Sequence, residues 1–217
     1  MSLAIFDLDN TLLGGDSDVL WGQFLVEKGI VDGAYYSAEN QRFYAQYNAG
    51  TLDIFEFLAF SLKPLSEHPV SQLKLWHQEF MDTKIRDILL PKAFDLINSH
   101  KEKGDTLLII TATNRFVTEP VAALLGIPHL LATDPEWRDG KYTGRVSGVP
   151  CFQEGKVTRL QQWLKEHNKN LSGSCFYSDS HNDLALLKRV DEPVAVDADD
   201  KLAAVAKKEN WRQISLR

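Results

Sequence analysis

The 217-residue chain has little cysteine: Cys151 and Cys175 are its two, and their placement fits neither a zinc site nor a disulfide framework. Both are expected to be reduced. Basic residues are not in excess either, since 24 lysines and arginines face 30 aspartates and glutamates for a formal net charge of -6. That balance argues against nucleic acid or an anionic membrane surface as the main partner. A small anionic substrate would need local help from lysine, backbone amides or a metal. No apolar run approaches the roughly 18 residues that a membrane span requires. The amino terminus enters a strand-like run at once, without the charged and then long apolar stretches of a targeting segment. A cytoplasmic protein is expected. Internal repeats and low-complexity linkers are also missing, which leaves one domain with an insertion, or two small ones.

What is present begins at Leu3. Leu3, Ala4, Ile5 and Phe6 read as a short strand buried on both faces, as in a parallel sheet, and the strand runs directly into Asp7. A carboxylate at the carboxyl end of a central strand is costly unless compensated, and the crevice beyond such strand ends is where open α/β sheets bind ligands. Asp9, Asn10 and Thr11 then crowd negative charge and hydrogen-bonding groups into one turn. A divalent cation would relieve that crowding.

After Gly14-Gly15 the apolar residues fall at helical spacing as far as Ile88. Trp21, Phe24, Leu25 and Lys28 predict a helix ending near Gly29, and Tyr35 to Tyr47 a second one stopping at Asn48-Ala49-Gly50. Thr51 or Asp53 caps a third, with Ile54, Phe57 and Phe60, broken by Pro64; a fourth starts near Ser71. Residues 16–88 are therefore read as an all-helical cap inserted into a core made of 1–15 and 89–217. Such an insert, leaving the sheet just after an acidic turn, is well placed to be a lid, with Gly14-Gly15 and the Asp87 to Pro91 region as its hinges. Whether its apolar residues face core, substrate or a second subunit is not readable, so the oligomeric state stays open.

Beyond Pro91 strand and helix alternate. Thr106 to Thr111, His129 to Ala132, Ser174 to Tyr177 and Pro193 to Val196 are the strands; Lys141 to Val146 suggests a hairpin turning at Asp139-Gly140. Ala93 to Lys103, Phe116 to Leu125, Gly155 to His167 and Leu184 to Val190 are the helices, with a last one near Leu202 to Lys208. This alternation means crossover connections and a parallel, Rossmann-like α/β sheet flanked by helices. In such a sheet Asp7, Thr111-Ala112-Thr113-Asn114 and Ser178-Asp179-Ser180-His181-Asn182-Asp183 share one edge, and Lys156 can bring an ammonium to it. Three carboxylates, a lysine and a hydroxyl-rich turn suit magnesium and a phosphate. His181 reads as a solvated loop residue, His100 and His129 as element ends, and Arg115 as facing either phosphate or solvent.

DLDNT after an apolar strand, a threonine ending the next strand, a lone lysine and SDSHND after another strand resemble the four motifs of the haloacid dehalogenase superfamily of phosphatases, in order and over nearly the whole chain. The helical insert is similar to the cap of the phosphoserine-phosphatase-like branch, which also includes bacterial histidinol-phosphate phosphatases. The resemblance implies that Asp7 is a nucleophile forming an aspartyl phosphate, and that Asp9 is the acid and base whose backbone carbonyl binds Mg2+ along with Asp7 and Asp179. It further implies that Thr111, with the amides of Ala112 and Thr113, and Lys156 hold the phosphate. Asp183 either holds a metal-bound water or orients Lys156, and Asn182 matches a polar position of the last motif. Glycines often flank the first aspartate of that motif; here they are Ser178 and Ser180.

Substrate choice rests on less. Asp16 falls at an offset similar to that of the glutamate by which the phosphoserine enzymes hold the substrate ammonium, with Asp18 close behind, while no arginine for a substrate carboxylate lies between Asn48 and Ile85. That combination favours an amine without a carboxylate, on something flat enough to rest against Trp21, Phe57 or Phe60. Histidinol phosphate fits. Phosphoserine or another small phosphomonoester is the alternative, with Lys63 replacing the arginine. A silent phosphate-binding regulatory module and a phosphotransferase are the other readings left open.

Overall fold

The computed structural model describes residues 2–217. Strand β1 (Leu3–Phe6) is followed by helices α1 (Ser17–Glu27), α2 (Gly33–Ala49), α3 (Ile54–Ser61), α4 (Lys63–Glu67) and α5 (Val70–Phe80). The chain then passes through a π turn and a 3-10 turn into α6 (Pro91–Glu102), β2 (Thr106–Asn114), α7 (Arg115–Leu125), β3 (His129–Arg138) and β4 (Lys141–Ser147). It closes with α8 (Glu154–Glu166), β5 (Cys175–Ser178), α9 (Leu184–Leu187), β6 (Glu192–Val196), α10 (Asp200–Lys208) and β7 (Arg212–Ile214).

The seven strands form one sheet in the order β4-β3-β2-β1-β5-β6-β7, parallel throughout except for the antiparallel edge hairpin β3-β4. Strand order reverses around β1, which pairs with β2 on one side and β5 on the other. That is the switch point at which a doubly wound sheet opens a crevice beyond its carboxyl ends. All four β1 side chains are buried, and their alternation divides them: Ala4 and Phe6 join the apolar cluster packed by α1, α5, α6 and α7, while Leu3 and Ile5 join the one packed by α8, α9 and α10. A strand covered on both faces has no use for polar residues until it ends, and Asp7 is where it ends.

The two crossings between the sheet and the helical segment lie side by side. Gly14 N donates to Ile88 O at 2.7 Å, and Leu13 bridges Leu89. Helices α2 and α3 end and begin as expected, Gly50 taking the left-handed conformation (φ 76°) and Asp53 accepting from the amides of Phe55 and Glu56. Pro64 does not break α3. That helix ends at Ser61, and the proline occupies the first turn of α4, where its missing N–H costs nothing.

Three other expectations are corrected. β2 does not end at Thr111; it continues to Asn114 through a register shift against β3 after Ile110. β3 does not stop at Ala132 but extends to Arg138, because pairing with β4 through the Asp139-Gly140 turn prolongs it. The helix expected over 184–190 is a single α turn, Leu184–Leu187, preceded by a 3-10 turn at His181–Asp183. Among the described residues no helix is long and apolar enough to cross a membrane.

Candidate functional site

The acidic turn is wound around one carbonyl. Leu8 O accepts from the amides of Thr11 (3.3 Å), Leu12 (2.9 Å) and Leu13 (3.0 Å), while Leu8, Leu12 and Leu13 are fully buried. Asn10 takes a left-handed conformation (φ 59°), which asparagine tolerates better than most residues. The apolar side chains anchor the turn, so its polar ones face the crevice.

Asp7 Oδ1 accepts from Lys156 Nζ at 2.7 Å, and Asp7 Oδ2 from Thr11 Oγ1 at 3.1 Å. Lys156 Nζ also donates to Asp183 Oδ2 at 2.8 Å, and that oxygen accepts from Ser178 Oγ at 2.7 Å. Lys156 is 3% exposed, and its two carboxylate partners hold its ammonium in the charged form against the pull of burial. Burial pushes the Asp7 carboxyl above the usual carboxylate range, Lys156 pulls it back, and Asp183 and Asp9 raise it again.

Asp179 reaches the same place from β5. Its Oδ1 accepts from Thr11 Oγ1 at 3.1 Å while its amide donates to that same hydroxyl. Thr11 therefore stands between Asp7 and Asp179 with one proton to offer two carboxylate oxygens. Burial raises Asp179 well above a normal carboxyl, with Asp7 and Asp183 adding to it. This shortage of positive charge is the observation that fits a cation. The described residues contain no group of three or more His, Cys, Asp or Glu side chains arranged to hold a metal. Two carboxylates and a backbone carbonyl, with water completing the shell, is nevertheless the kind of donor set that magnesium accepts.

Asp9 faces the end of β2. Its Oδ2 accepts from Thr113 Oγ1 at 2.8 Å and Thr111 Oγ1 at 3.4 Å, and its Oδ1 from the Ser17 amide at 2.7 Å. Burial and then Asp16 push its carboxyl up to about 6. Thr113 arrives differently from expectation. Its amide is taken by Thr111 Oγ1 at 3.2 Å, so the residue meets the site through its hydroxyl, a consequence of the register shift in β2. The carbonyl of Ala112 is held by Thr133 Oγ1 at 2.7 Å.

The crevice is a cavity of about 130 Å³ lined by Asp7, Asp9, Thr111, Ala112, Thr113, Lys156, Asp179, Asn182 and Asp183 together with Asp16, Asp18 and Phe57. Asp16 caps α1 by accepting from the amides of Asp18 and Val19, whereas Asp18 has Asn114 Nδ2 at 3.3 Å as its partner. Burial, with Asp16 and Asp9 close by, pushes the Asp18 carboxyl up to about 8.

Two expected substrate contacts are elsewhere. Trp21 is 3% exposed and packed among Phe24, His77, Phe80 and Phe116, away from the cavity. Phe60 packs at a tilt against Tyr36 and Phe43 and lines a separate surface groove with Arg42 and Lys63. Lys63 there faces Glu67 at 3.6 Å, so it does not stand in for an arginine in the site. His181 is not a solvated loop residue: its side chain is 15% exposed and Nδ1 lies 2.7 Å from Asp199 Oδ2. Arg115 does not line the cavity; it is partly exposed, its side chain 33% accessible, and pairs with Asp134 at 2.5 Å. His100 does close α6, yet it is buried between Asp105 and the Tyr177 hydroxyl.

Sequence reasoning did not assign Thr11, Ser178, Asn40, Phe43, Tyr44, Tyr47 or Phe152 to the site. Thr11 carries a signal, being the hydroxyl in the acidic turn. The α2 residues carry none, because Phe43 and Tyr47 at helical spacing read equally well as packing.

Comparison with known proteins agrees with this geometry. Residues 4–188 match the family described as haloacid dehalogenase-like hydrolase. A histidinol-phosphatase of Neisseria meningitidis serogroup C is 45% identical, over 100% of this chain and 99% of that protein. The phosphoserine phosphatase SerB1 of Mycobacterium tuberculosis is 29% identical, over 96% of this chain and 68% of its own length. Among solved structures, a Bordetella pertussis protein of unknown function superposes with a TM-score of 0.94 at 43% identity, covering 100% of this chain and 99% of the other. A seven-stranded doubly wound sheet, motifs meeting at its switch point and a family match spanning most of the sequence lead to one conclusion: the chain belongs to the haloacid dehalogenase-like hydrolase family, as a phosphatase.

Proposed function

We propose that the protein hydrolyses histidinol phosphate, with Mg2+, through a phosphorylated Asp7. The observation that carries this reading is the charge arrangement of the cavity. Lys156 is its one lining cation among the described residues and is already held between Asp7 and Asp183, while Asp18 sits on the same wall with no cation against it. A phosphate suits the first end and an ammonium the second. A substrate carboxylate would find no free cation among the described lining residues, which counts against phosphoserine. The histidinol-phosphatase relative supports the same choice.

In the first step the Asp7 carboxylate attacks phosphorus; the bond to Asp7 forms as the bond to the substrate oxygen breaks, and Asp9 gives that oxygen its proton. Water then attacks the same phosphorus, passes a proton to Asp9 and releases inorganic phosphate and free Asp7. One difficult displacement thus becomes two easier ones. Thr111 and Lys156 hold phosphoryl oxygens as charge develops on them. Asp7, Asp179 and the carbonyl of Asp9 would hold magnesium, which when bound supplies positive charge to the phosphoryl group. Helices α1 to α5, residues 16–88, act as a cap that closes the cavity against bulk water, since an acyl phosphate must meet a single water.

The test is phosphate release from histidinol phosphate, phosphoserine and p-nitrophenyl phosphate, with Mg2+ and after chelation. Histidinol phosphate should be the best of the three by kcat/KM, and chelation should abolish turnover until Mg2+ is restored. Efficient turnover of phosphoserine with none of histidinol phosphate would overturn the substrate. Asp18→Asn should raise KM for histidinol phosphate roughly 10-fold to 100-fold, the worth of one charge-assisted hydrogen bond. It should barely change p-nitrophenyl phosphate, which has no amine. An equal loss on both substrates would mean that Asp18 supports the cavity wall instead of reading the ammonium.

A further inference from the structure

Tyr47 lies in the last turn of α2, and its hydroxyl and its carbonyl both meet the sheet edge, the carbonyl while also accepting from the Gly50 amide at 3.1 Å. Its hydroxyl donates to Ser180 Oγ at 2.8 Å. The Ser180 amide donates to Ser178 Oγ at 3.2 Å, and Ser178 Oγ donates to Asp183 Oδ2 at 2.7 Å, the oxygen that also accepts from Lys156 Nζ. Serine at both positions, where the family resemblance leads one to expect glycine, is what makes this branch continuous.

A second branch starts from the Tyr47 carbonyl. Asn182 Nδ2 donates to it at 3.4 Å, and Asn182 Oδ1 accepts from Gln153 Nε2 at 2.9 Å. Gln153 is the residue before α8, three positions from Lys156, and holds φ 46° and ψ -120°, a conformation that side-chain-bearing residues rarely adopt. The backbone is also closely packed beside it: a Cβ on Gly155 would stand 2.0 Å from Pro150 O, so only glycine fits there. Such a turn stays in place where its surroundings over-determine it, and the Asn182 contact is part of those surroundings.

We propose that Tyr47 is a positioning residue: seating α2 on the sheet edge fixes Lys156, through Asp183 on one branch and the start of α8 on the other. Lys156 is then aligned when the cap is down and looser when it lifts, which ties closure to the phosphate-holding group. The inference rests on the role given to Lys156 above. A mere staple between helix and sheet would affect melting, but it would not act on the lysine.

The test uses Tyr47→Phe, Ser178→Ala and the double variant. Each single change should lower kcat about fivefold, and the double change by no more than either alone, since both cut one branch. Independent losses that multiply to about 25-fold would overturn the proposal. A readout free of turnover is amine modification of Lys156 followed by mass spectrometry. It should rise severalfold in both single variants while exposed Lys207 is unchanged. Wild-type labelling of Lys156 in folded Tyr47→Phe and Ser178→Ala would also overturn it. Should the wild type hydrolyse no phosphomonoester while the labelling still rises, the phosphatase mechanism fails and the coupling stands.

Discussion

Asp7→Asn is expected to lower phosphate release by at least about three orders of magnitude while leaving the protein folded. Asparagine keeps the shape of the side chain and both its polar atoms, so Lys156 and Thr11 keep neighbours at 2.7 and 3.1 Å. What disappears is the anion proposed to attack phosphorus. Stability should change little. Burial already disfavours the charged form of Asp7, and Asp183 and Asp9 repel it, so removing the charge relieves a cost even as it weakens one bond to Lys156. The paired measurement is single-turnover phosphate release with thermal melting of the same preparation. Turnover within tenfold of wild type in a folded Asp7→Asn protein would remove Asp7 as the nucleophile. A wild type that binds phosphate but never releases it from an ester would restore the reading of a silent phosphate-binding module.

The second large effect falls on stability as well as rate. Lys156→Met keeps the aliphatic stem but takes the ammonium from between Asp7 and Asp183, both nearly inaccessible to solvent. Breaking a buried ion pair by deleting one partner leaves an uncompensated charge, at a cost of about 3–5 kcal/mol. For a chain of this length that corresponds to a fall in Tm of roughly 10 °C. Phosphate release should also fall by about two orders of magnitude or more, because the charge proposed to steady the phosphoryl oxygens has gone. A melting temperature equal to that of wild type would show that the pair contributes nothing net to the fold. The double variant Asp7→Asn with Lys156→Met should melt higher than Lys156→Met alone, since one of the two stranded carboxylates is then neutral.

Much of this chain could be read before any coordinates. The run Leu3 to Phe6 is buried on both faces as its composition implies, and Asp7 follows where the strand ends, itself still buried. Alternation of strands and helices is enough to place Asp7, Thr111 and Asp179 at one edge of a parallel sheet, because right-handed crossovers admit few other arrangements. Their meeting, with Thr11 between Asp7 and Asp179 and Thr111 on Asp9, is a matter of strand direction, and strand direction is written in local pattern. Asp16 and Asp18 were legible for a related reason: both stand at the amino end of α1, the first helix after the strand, so their distance from Asp7 is short along the chain as well as in space.

The aromatic residues of the helical segment were not legible. Trp21, Phe57 and Phe60 share a residue class and a helical period, yet Trp21 is core, Phe60 belongs to another groove and Phe57 alone of the three lines the cavity. Period 3.6 tells which residues share a helix face, but not what that face meets. The irregular end of β2 was equally hidden, since a register shift depends on what β3 offers across the ladder. By itself, then, the sequence determined the sheet, the edge and the charged groups at that edge, through local periodicity and the placement of acids after apolar runs. Tertiary structure decided which helix faces look into the cavity, that Thr113 presents its hydroxyl, and that Tyr47 is bonded to the turn carrying Asp179 and Asp183, because those contacts join segments more than 90 residues apart that no local pattern encodes.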